Sequence, residues 1–276
     1  DRATYDETKT QMALPMDTPP TIDGIIEDAE WVQAFGSYSG GANSFWYVSV
    51  NENLEDYIQG GSMGDAGEAP WDNEDLSFEV YVGYDADNLY VAVRVSDWDL
   101  WDDSAEAGSA NGSTWHDDSV EIFVDGDNSN YEERDTSGSN PEVVDTGGQF
   151  VITINNAYRD AEAGNPGYGE DAAWYAHTEL TDSGYESEFR ISMDEIGNPK
   201  QGDIIGFTVA VNDDDNGDSN ERQIVWCGSA HTEASYGNLV MGPLTYTAPK
   251  ASAPTIDGEI SAGEYDGAEE IIVNPY

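Results

Sequence analysis

The feature that most constrains the fold of this chain is a period-two alternation of apolar residues in short segments. A β-strand points successive side chains to opposite faces, so such a segment predicts a strand with one buried face. Residues 85–88, Asp-Ala-Asp-Asn, carry the Asx residues of a turn between the first two segments and predict a hairpin there. The alternating apolar residues of these two segments are Leu76, Phe78, Val80 and Val82, then Leu89, Val91, Val93 and Val95.

Further segments show the same alternation and are separated by loops rich in Gly, Asn and Asp. Long helical periodicity is absent, and only Met193–Ile196 resembles an isolated turn of helix. Short strands in this arrangement predict an all-β protein, specifically a two-sheet antiparallel β-sandwich with long acidic loops. The further predicted strands are Ser119–Val124, Gln149–Ile154, Glu186–Ile191 and Phe207–Val211.

The charge balance excludes one class of partner. The chain carries 57 acidic and 9 basic residues, for a formal net charge of −48. Because nucleic acid is held by clustered Lys and Arg, we predict no nucleic-acid partner. No apolar stretch approaches the roughly 18 residues that a membrane span needs, so we predict no membrane insertion. Adaptation to a saline medium explains such acidity, and extensive calcium binding is a second explanation that is compatible with the first.

Catalytic and redox sites find little support in the sequence. A glycosidase needs two carboxylates at a defined separation, and no such pair stands out among the acidic residues. The three histidines show no metal-binding spacing. Cys227 is the single cysteine, which rules out an internal disulfide and a cysteine-based metal cluster. We therefore predict that the chain is not an enzyme.

An internal repeat divides the chain. Thr21–Trp31 is matched by Thr255–Tyr265, with identity at six of eleven positions and an aromatic residue at the end of both segments. Residues 248–254 between the module and the second copy have linker composition. We predict a lead segment over residues 1–17, a module over 18–247, a linker over 248–254, and either the start of a second module or an appended strand over 255–276.

Several motifs resemble, in order, those of the family 9 carbohydrate-binding modules and their DOMON-like relatives. The resemblance extends over about residues 18–245. It implies a β-sandwich in a secreted, multi-modular protein, with structural calcium and a sugar site lined by aromatic residues. The segments that carry it are Thr21-Ile22-Asp23-Gly24 with Trp31, residues 84–93, residues 115–125, Gln149-Phe150, residues 206–213, Trp226 and residues 236–239.

The same resemblance implies part of a sugar site. The family holds a glucose unit between two tryptophans, with Arg, Glu and Asn bonded to its hydroxyls. Trp115 stands at the position of one stacking tryptophan and Glu121 at that of the acidic ligand; Gln149 completes the predicted set. The family arginine is replaced by Val151, and residues 227–235 lack both the second tryptophan and the asparagine. The alternative for Trp115 is a ring that caps the core.

Three residues outside the family pattern are also candidate ligand contacts. Trp98 and Trp101 lie in an acidic loop, where they contact either a ligand or the core beneath the loop. Arg94 interrupts an apolar strand and, like Glu121, points away from the apolar face of its own strand. We predict that Arg94 pairs with Glu121 or replaces the missing family arginine; a purely structural ion pair is the alternative.

The segment 212–221 is the best candidate calcium loop. Its oxygen-bearing side chains and its glycine partly follow the spacing of an EF-hand loop, although position 12 is Gln223 and strands flank it. A solvated acidic turn is the alternative. The predicted metal ligands are Asn212, Asp213, Asp214, Asp215, Asn216 and Asp218, with Asp125 and Asp127 in a weaker second loop.

Together these observations predict a non-catalytic, calcium-stabilised carbohydrate-binding module, located outside the cell or on its surface. Its partners are then a glycan or cell-surface polysaccharide and other modules of the same polypeptide. One alternative is a structural or adhesive surface module whose sugar pocket has been lost. Another is a haem-binding DOMON-type domain, which His116 and the five methionines leave open.

Overall fold

The computed structural model describes residues 10–31, 45–48, 58–59, 76–110, 112–128, 147–160, 167–217, 222–230 and 232–242. The described part is all-β, as predicted, with short 3₁₀ turns at Thr114–His116, Met193–Ile196 and Glu233–Ser235. Within it, no helix has the length and apolar character needed to cross a bilayer. The strands are β1 Thr10–Pro15, β2 Phe45–Val48, β3 Ile58–Gln59, β4 Ser77–Tyr84, β5 Asn88–Ser96, β6 Ser119–Asp125, β7 Gly147–Thr153, β8 Tyr158–Asp160, β9 Trp174–Thr181, β10 Gly184–Ser192, β11 Ile204–Asp213, β12 Arg222–Val225 and β13 Gly237–Met241.

The strands form one continuous path in the order β8-β7-β6-β11-β13-β1-β4-β5-β10-β9, with β12 beside β11, β3 beside β12, and β2 beside β4. β1 joins the two halves of this path because it pairs in parallel with both β13 and β4. The predicted division into two separate sheets is therefore not confirmed. Much of the predicted acidic loop sequence lies outside the described residues.

One hydrophobic core receives side chains from both halves of the path. Phe78, Val80 and Val93 reach it from β4 and β5, whereas Ile122 and Phe150 reach it from β6 and β7; all five are buried. These residues lie at alternate positions of their strands, as the sequence pattern predicts. The sheet must therefore curl around this core, and the opposite faces of the same strands carry both polar and apolar side chains.

The predicted strands and the predicted hairpin are confirmed. β4 and β5 pair antiparallel with Tyr84 opposite Leu89, and the Asp85 carboxylate accepts bonds from the backbone N–H groups of Asp87 and Asn88, both at 2.8 Å. The turn at Met193–Ile196 is a 3₁₀ turn that ends at Gly197, whose φ of 79° suits glycine.

The domain prediction is only partly covered by the described residues. β1 lies inside the predicted lead segment 1–17, so part of that segment belongs to the sheet. The chain divides into the units Asp1–Pro243 and Leu244–Tyr276. The predicted linker 248–254 and the segment 255–276 lie outside the described residues, so their assignment stays a prediction.

Candidate functional site

Aspartates gather at one edge of the sheet, where strands begin or end. Asp97 directly follows β5, Asp118 directly precedes β6, and Asp213 is the last residue of β11. β6 and β11 are antiparallel neighbours with Ser119 opposite Asn212, which brings the residues just beyond that pair to the same edge. Chain direction and register therefore bring these carboxylates together although they are far apart in sequence.

Two groups of three carboxylates result. Asp97, Asp118 and Asp213 form a buried group, and Asp103, Asp117 and Asp214 form a second group in which Asp103 is exposed. Within each group, one carboxylate oxygen from each of the three residues lies within 4.8 Å of the other two. The consecutive pairs Asp117-Asp118 and Asp213-Asp214 each give one residue to each group, so the two groups are neighbours.

The same carboxylates anchor the loop between β5 and β6. Asp118 accepts bonds from the backbone N–H groups of Trp101, at 2.6 Å, and Asp214, at 3.1 Å. Asp117 accepts bonds from the backbone N–H groups of Ser104, at 2.7 Å, and Ala105, at 2.9 Å. The conformation of this loop therefore depends directly on the two aspartates.

Burial makes the charged form of these groups costly. It raises the pKa of Asp118, and the nearby Asp97 charge raises it further. Burial likewise raises the pKa of Asp213 well above its ordinary value, and the Asp97 charge is the second cause of this increase. Burial also raises the pKa of Asp117 to about 6. Without a cation, burial therefore favours the protonated forms of Asp118 and Asp213.

Tyr185 adds a further oxygen to the buried group. Its side chain is fully buried, and among the described residues its hydroxyl has no hydrogen-bond partner. Tyr185 stands opposite Val95, two positions before Asp97, and after burial the charges of Asp118, Asp97 and Asp213 raise the pKa of its hydroxyl. Carboxylate oxygens are donors that Ca²⁺ prefers, so Asp97, Asp118 and Asp213 fit such a cation.

The predicted metal residues separate into those near these groups and those elsewhere. Among the described residues of the 212–221 loop, Asp213 and Asp214 belong to the two groups. Asp215 accepts a bond from Arg222, at 2.9 Å, and Asn216 donates its backbone N–H to Asp214, at 3.2 Å. Asn212 bonds other side chains, and Asp218 lies outside the described residues.

The weaker predicted loop lies apart from the two carboxylate groups. Asp125 is the last residue of β6 and is buried beside Gly206 of β11. Within the described part of the chain, neither Asp125 nor Asp127 is among the carboxylates that gather into groups of three.

Glu121 is buried in a network of amide side chains. Gln149 donates to one Glu121 oxygen, and Asn212 donates to the other at 2.6 Å. Gln223 in turn donates to the Asn212 side-chain oxygen at 2.9 Å. Glu121 is only 1% exposed, so the two residues predicted as ligand contacts, Glu121 and Gln149, bond each other in this structure.

The predicted pair between Arg94 and Glu121 is wrong. Arg94 donates to Glu186 at 2.6 Å and to Glu79 at 3.1 Å, and its third partner is the Tyr81 hydroxyl at 2.9 Å. The physical reason is strand register: Glu79 and Glu186 stand directly opposite Arg94 on the two strands that flank β5. Glu121 belongs to β6, which does not pair with β5.

Three tryptophans lie on the loop between β5 and β6. Trp98 is 75% exposed and Trp101 is 37% exposed, whereas Trp115 is half-buried. The Trp101 ring lies against Gly217, where an added Cβ would stand 2.6 Å from ring atom Cε3. Trp115 donates its indole N–H to the Gly112 carbonyl at 3.1 Å, and its ring contacts the His116 ring.

Four members of the carboxylate groups were not predicted from the sequence: Asp97, Asp103, Asp117 and Asp118. A usable signal existed, because the pairs Asp117-Asp118 and Asp213-Asp214 each stand where an alternating strand begins or ends. The sequence alone does not show that β6 and β11 are neighbours, and it is this pairing that brings the two aspartate pairs together. Trp98 and Trp101 were identified, and their exposure is compatible with ligand contact.

A curated protein shares sequence with part of this chain. Endo-1,4-beta-xylanase A of Thermoanaerobacterium saccharolyticum is 30% identical over 164 residues, which cover 57% of this chain and 12% of that protein. The chain therefore spans only a small part of this curated relative.

Two solved structures share the fold, both of a carbohydrate binding module family 9 protein from Caldicellulosiruptor kristjanssonii. The complex with cellotriose has a TM-score of 0.56 at 18% identity and covers 89% of this chain and 100% of that chain. The complex with glucose has a TM-score of 0.55 at 18% identity and covers 88% of this chain and 100% of that chain. The family described as carbohydrate family 9 binding domain-like matches residues 65–246, and the chain belongs to this family.

Proposed function

We propose that this chain is a non-catalytic carbohydrate-binding module that contacts its ligand through the loop between β5 and β6. The observation that carries the proposal is the exposure of Trp98 and Trp101, two large aromatic rings three positions apart on one anchored loop. Exposed tryptophan is uncommon on a soluble domain, and a flat ring suits the apolar face of a sugar. Trp115, on the same loop, is a third candidate contact.

The ligand class that we propose is a β-linked glucan or xylan chain. Support comes from the related modules whose structures contain cellotriose and glucose, and from the xylanase that shares sequence with this chain. Glu121 and Gln149 are not part of the proposed surface, because they are buried and bonded to each other. A glycan surface built on tryptophan rings would therefore replace the incomplete family pocket.

We further propose that Ca²⁺ is held by the buried group of Asp97, Asp118 and Asp213, with the Tyr185 hydroxyl beside it. A cation there would neutralise carboxylates that otherwise repel one another in a buried site. Because Asp118 also bonds the Trp101 backbone, ordering this group would hold the tryptophan loop in place. The second group, around Asp117 and Asp214, would hold another cation in the same way.

The cation proposal is tested by thermal denaturation and elemental analysis. Binding to the folded state alone contributes about 2.7 kcal/mol at a hundredfold excess over Kd, so chelator should lower the Tm and calcium should restore it. Asp97→Asn should reduce this calcium-dependent shift, whereas Glu179→Gln, at an exposed position, should leave it unchanged. An unchanged Tm with no bound metal would overturn the proposal.

The sugar-binding proposal is tested on a glycan array with calcium present. We expect the parent protein to bind glucan or xylan chains and Trp98→Ala to lose this binding. Ile204→Ala is the matched control, since Ile204 is an exposed apolar residue at the end of β11 opposite to Asp213. Absence of glycan binding by the parent would instead favour the structural or adhesive alternative, and an absorbance scan for a Soret band tests the haem alternative.

The setting in which the module works is also part of the proposal. Family membership and the xylanase relative support a secreted or cell-surface location and attachment to other modules. The acidic composition supports a saline medium, in which dissolved ions screen the net charge of −48.

A further inference from the structure

The segment Thr21–Trp31 is bound to the outer face of β10 by two carboxylates, the buried Glu188 and the partly buried Glu186. Glu188 accepts bonds from the backbone N–H groups of Asp23, at 3.1 Å, and Gly24, at 3.0 Å, and from the Trp31 indole N–H at 2.8 Å. Glu186 accepts a bond from the Ile26 backbone N–H at 2.8 Å. Because 186 and 188 are alternate positions of one strand, both carboxylates face this segment, which we call the clip.

The clip also closes a small second core. Ile26 and the fully buried Trp31 pack with Met16, Tyr81 and Tyr90 on this face of the sheet. Gly24 is required for the close approach, because its φ is +81° and an added Cβ would lie 2.7 Å from the Glu179 backbone nitrogen. The Thr21 hydroxyl donates to the Glu30 carboxylate at 2.7 Å and joins the two ends of the clip.

The repeated sequence at 255–265 retains the residues that make contacts in the clip, and the positions that it changes before its last residue are exposed in the clip. The identical positions correspond to Thr21, Ile22, Asp23, Gly24, Ile26 and Glu30, all of which donate, pack or accept in the clip. The positions that differ before the final aromatic residue correspond to Ile25, Glu27, Asp28 and Ala29, and all four are exposed.

The final position keeps its chemistry although the residue changes. Trp31 supplies an aromatic ring to the small core and a donor to Glu188. Tyr265 stands at the matching position and also has an aromatic ring with a donor, its hydroxyl group. The repeat therefore preserves the requirements of one binding surface.

We propose that residues 255–265 are a second clip, and that its partner is the Glu-x-Glu face of another module of this family. In this chain the face formed by Glu186 and Glu188 is already bound to Thr21–Trp31, so the second clip needs an equivalent face elsewhere. The clip binds carboxylates that lie 157 to 165 residues later in the sequence, so it connects distant parts of the same fold. This inference does not depend on sugar binding.

The proposal is tested by moving the second clip into the position of the first in the full chain. The five substitutions Ile25→Glu, Glu27→Ser, Asp28→Ala, Ala29→Gly and Trp31→Tyr convert residues 21–31 into the sequence of 255–265. We expect the Tm of this variant to stay within about 5 °C of the parent. The control Gly24→Val, which blocks the approach to Glu179, should lower the Tm by about 6–12 °C.

A second Tm measurement distinguishes a segment that binds Glu188 as the first clip does from a segment that only fits in the same place. Adding Glu188→Gln to the converted variant should lower its Tm by the same amount as Glu188→Gln lowers that of the parent, because the glutamine amide has one acceptor oxygen in place of the two that serve the backbone N–H groups and the aromatic donor of the clip. The proposal is overturned if the converted variant melts like Gly24→Val. It is also overturned if Glu188→Gln has no effect on the converted variant while it destabilises the parent.

Discussion

Arg94 contributes to the structure through two carboxylates that face it across neighbouring strands. Its guanidinium bonds Glu186, Glu79 and the Tyr81 hydroxyl, and Glu186 in turn accepts the Ile26 N–H of the clip. One cation therefore joins three strands and indirectly supports the clip. Nothing in this arrangement directs Arg94 towards the tryptophan loop.

Replacing Arg94 with lysine should lower the free energy of unfolding and leave glycan binding unchanged. A lysine ammonium cannot reproduce the fork of donors that reaches both carboxylates, and the half-exposed position limits the loss to about 1 kcal/mol. Urea denaturation measures the loss, and a titration with cellotriose measures binding. A variant of parental stability that no longer binds sugar would contradict this role for Arg94.

At the scale of single residues, the sequence predicts which face of its strand a side chain occupies better than it predicts the residue that the side chain bonds. Arg94 and Glu121 both point away from the core, as their alternation predicts, yet they lie on strands that do not pair with each other. Register decides the partner, and register depends on strand order, which no local pattern contains. Asp117 and Asp118 were missed for the same reason.

At the scale of elements, strands with a strongly apolar face were predictable and strands with mixed faces were not. The alternation in β4, β5, β6 and β11 predicts strands that the structure confirms. In β9 the inward positions are Trp174, Ala176 and Thr178, a sequence of large, small and polar residues without a clear apolar face. β1 is short and pairs in parallel on both sides, and local sequence does not indicate such pairing.

The clip should make stability depend on pH through Glu188. Burial raises the pKa of this carboxyl from its ordinary 4.5 to about 7, although the N–H groups that it accepts oppose the change. The folded state then binds this proton more tightly than the unfolded state. The contribution is fully present below pH 4.5 and is lost as pH rises towards about 7.

Glu188→Gln isolates this contribution because glutamine does not titrate. The difference in free energy of unfolding between the parent and Glu188→Gln should increase as pH falls from about 7 to about 4.5. Urea denaturation across this range measures it. A constant difference, or one that decreases towards acidic pH, would show that Glu188 does not titrate as its burial predicts.

At the scale of the whole molecule, the net charge of −48 sets the conditions for folding. Repulsion among carboxylates acts over a Debye length of about 10 Å at 0.1 M salt and about 3 Å at 1 M. We therefore expect the Tm to rise between 0.1 M and 1 M sodium chloride.

Keeping a chelator in every sample of that series separates screening by salt from calcium binding. Replacing sodium chloride with potassium chloride should give the same increase, because screening depends on ionic strength rather than on the identity of the cation. A Tm that is independent of salt, or that falls with it, would contradict the saline adaptation.

The most direct measurement is a calorimetric titration of the full chain with cellotriose in the presence of calcium. We expect saturable binding by the parent protein, loss of binding in the double variant Trp98→Ala/Trp101→Ala, and a variant that still unfolds cooperatively, because Trp98 is 75% exposed and Trp101 is 37% exposed. Unchanged cellotriose binding by a folded double variant would contradict a ligand surface on the loop between β5 and β6. No heat of binding with cellotriose or a xylan oligosaccharide, for a parent protein that is folded and calcium-loaded, would contradict carbohydrate binding itself.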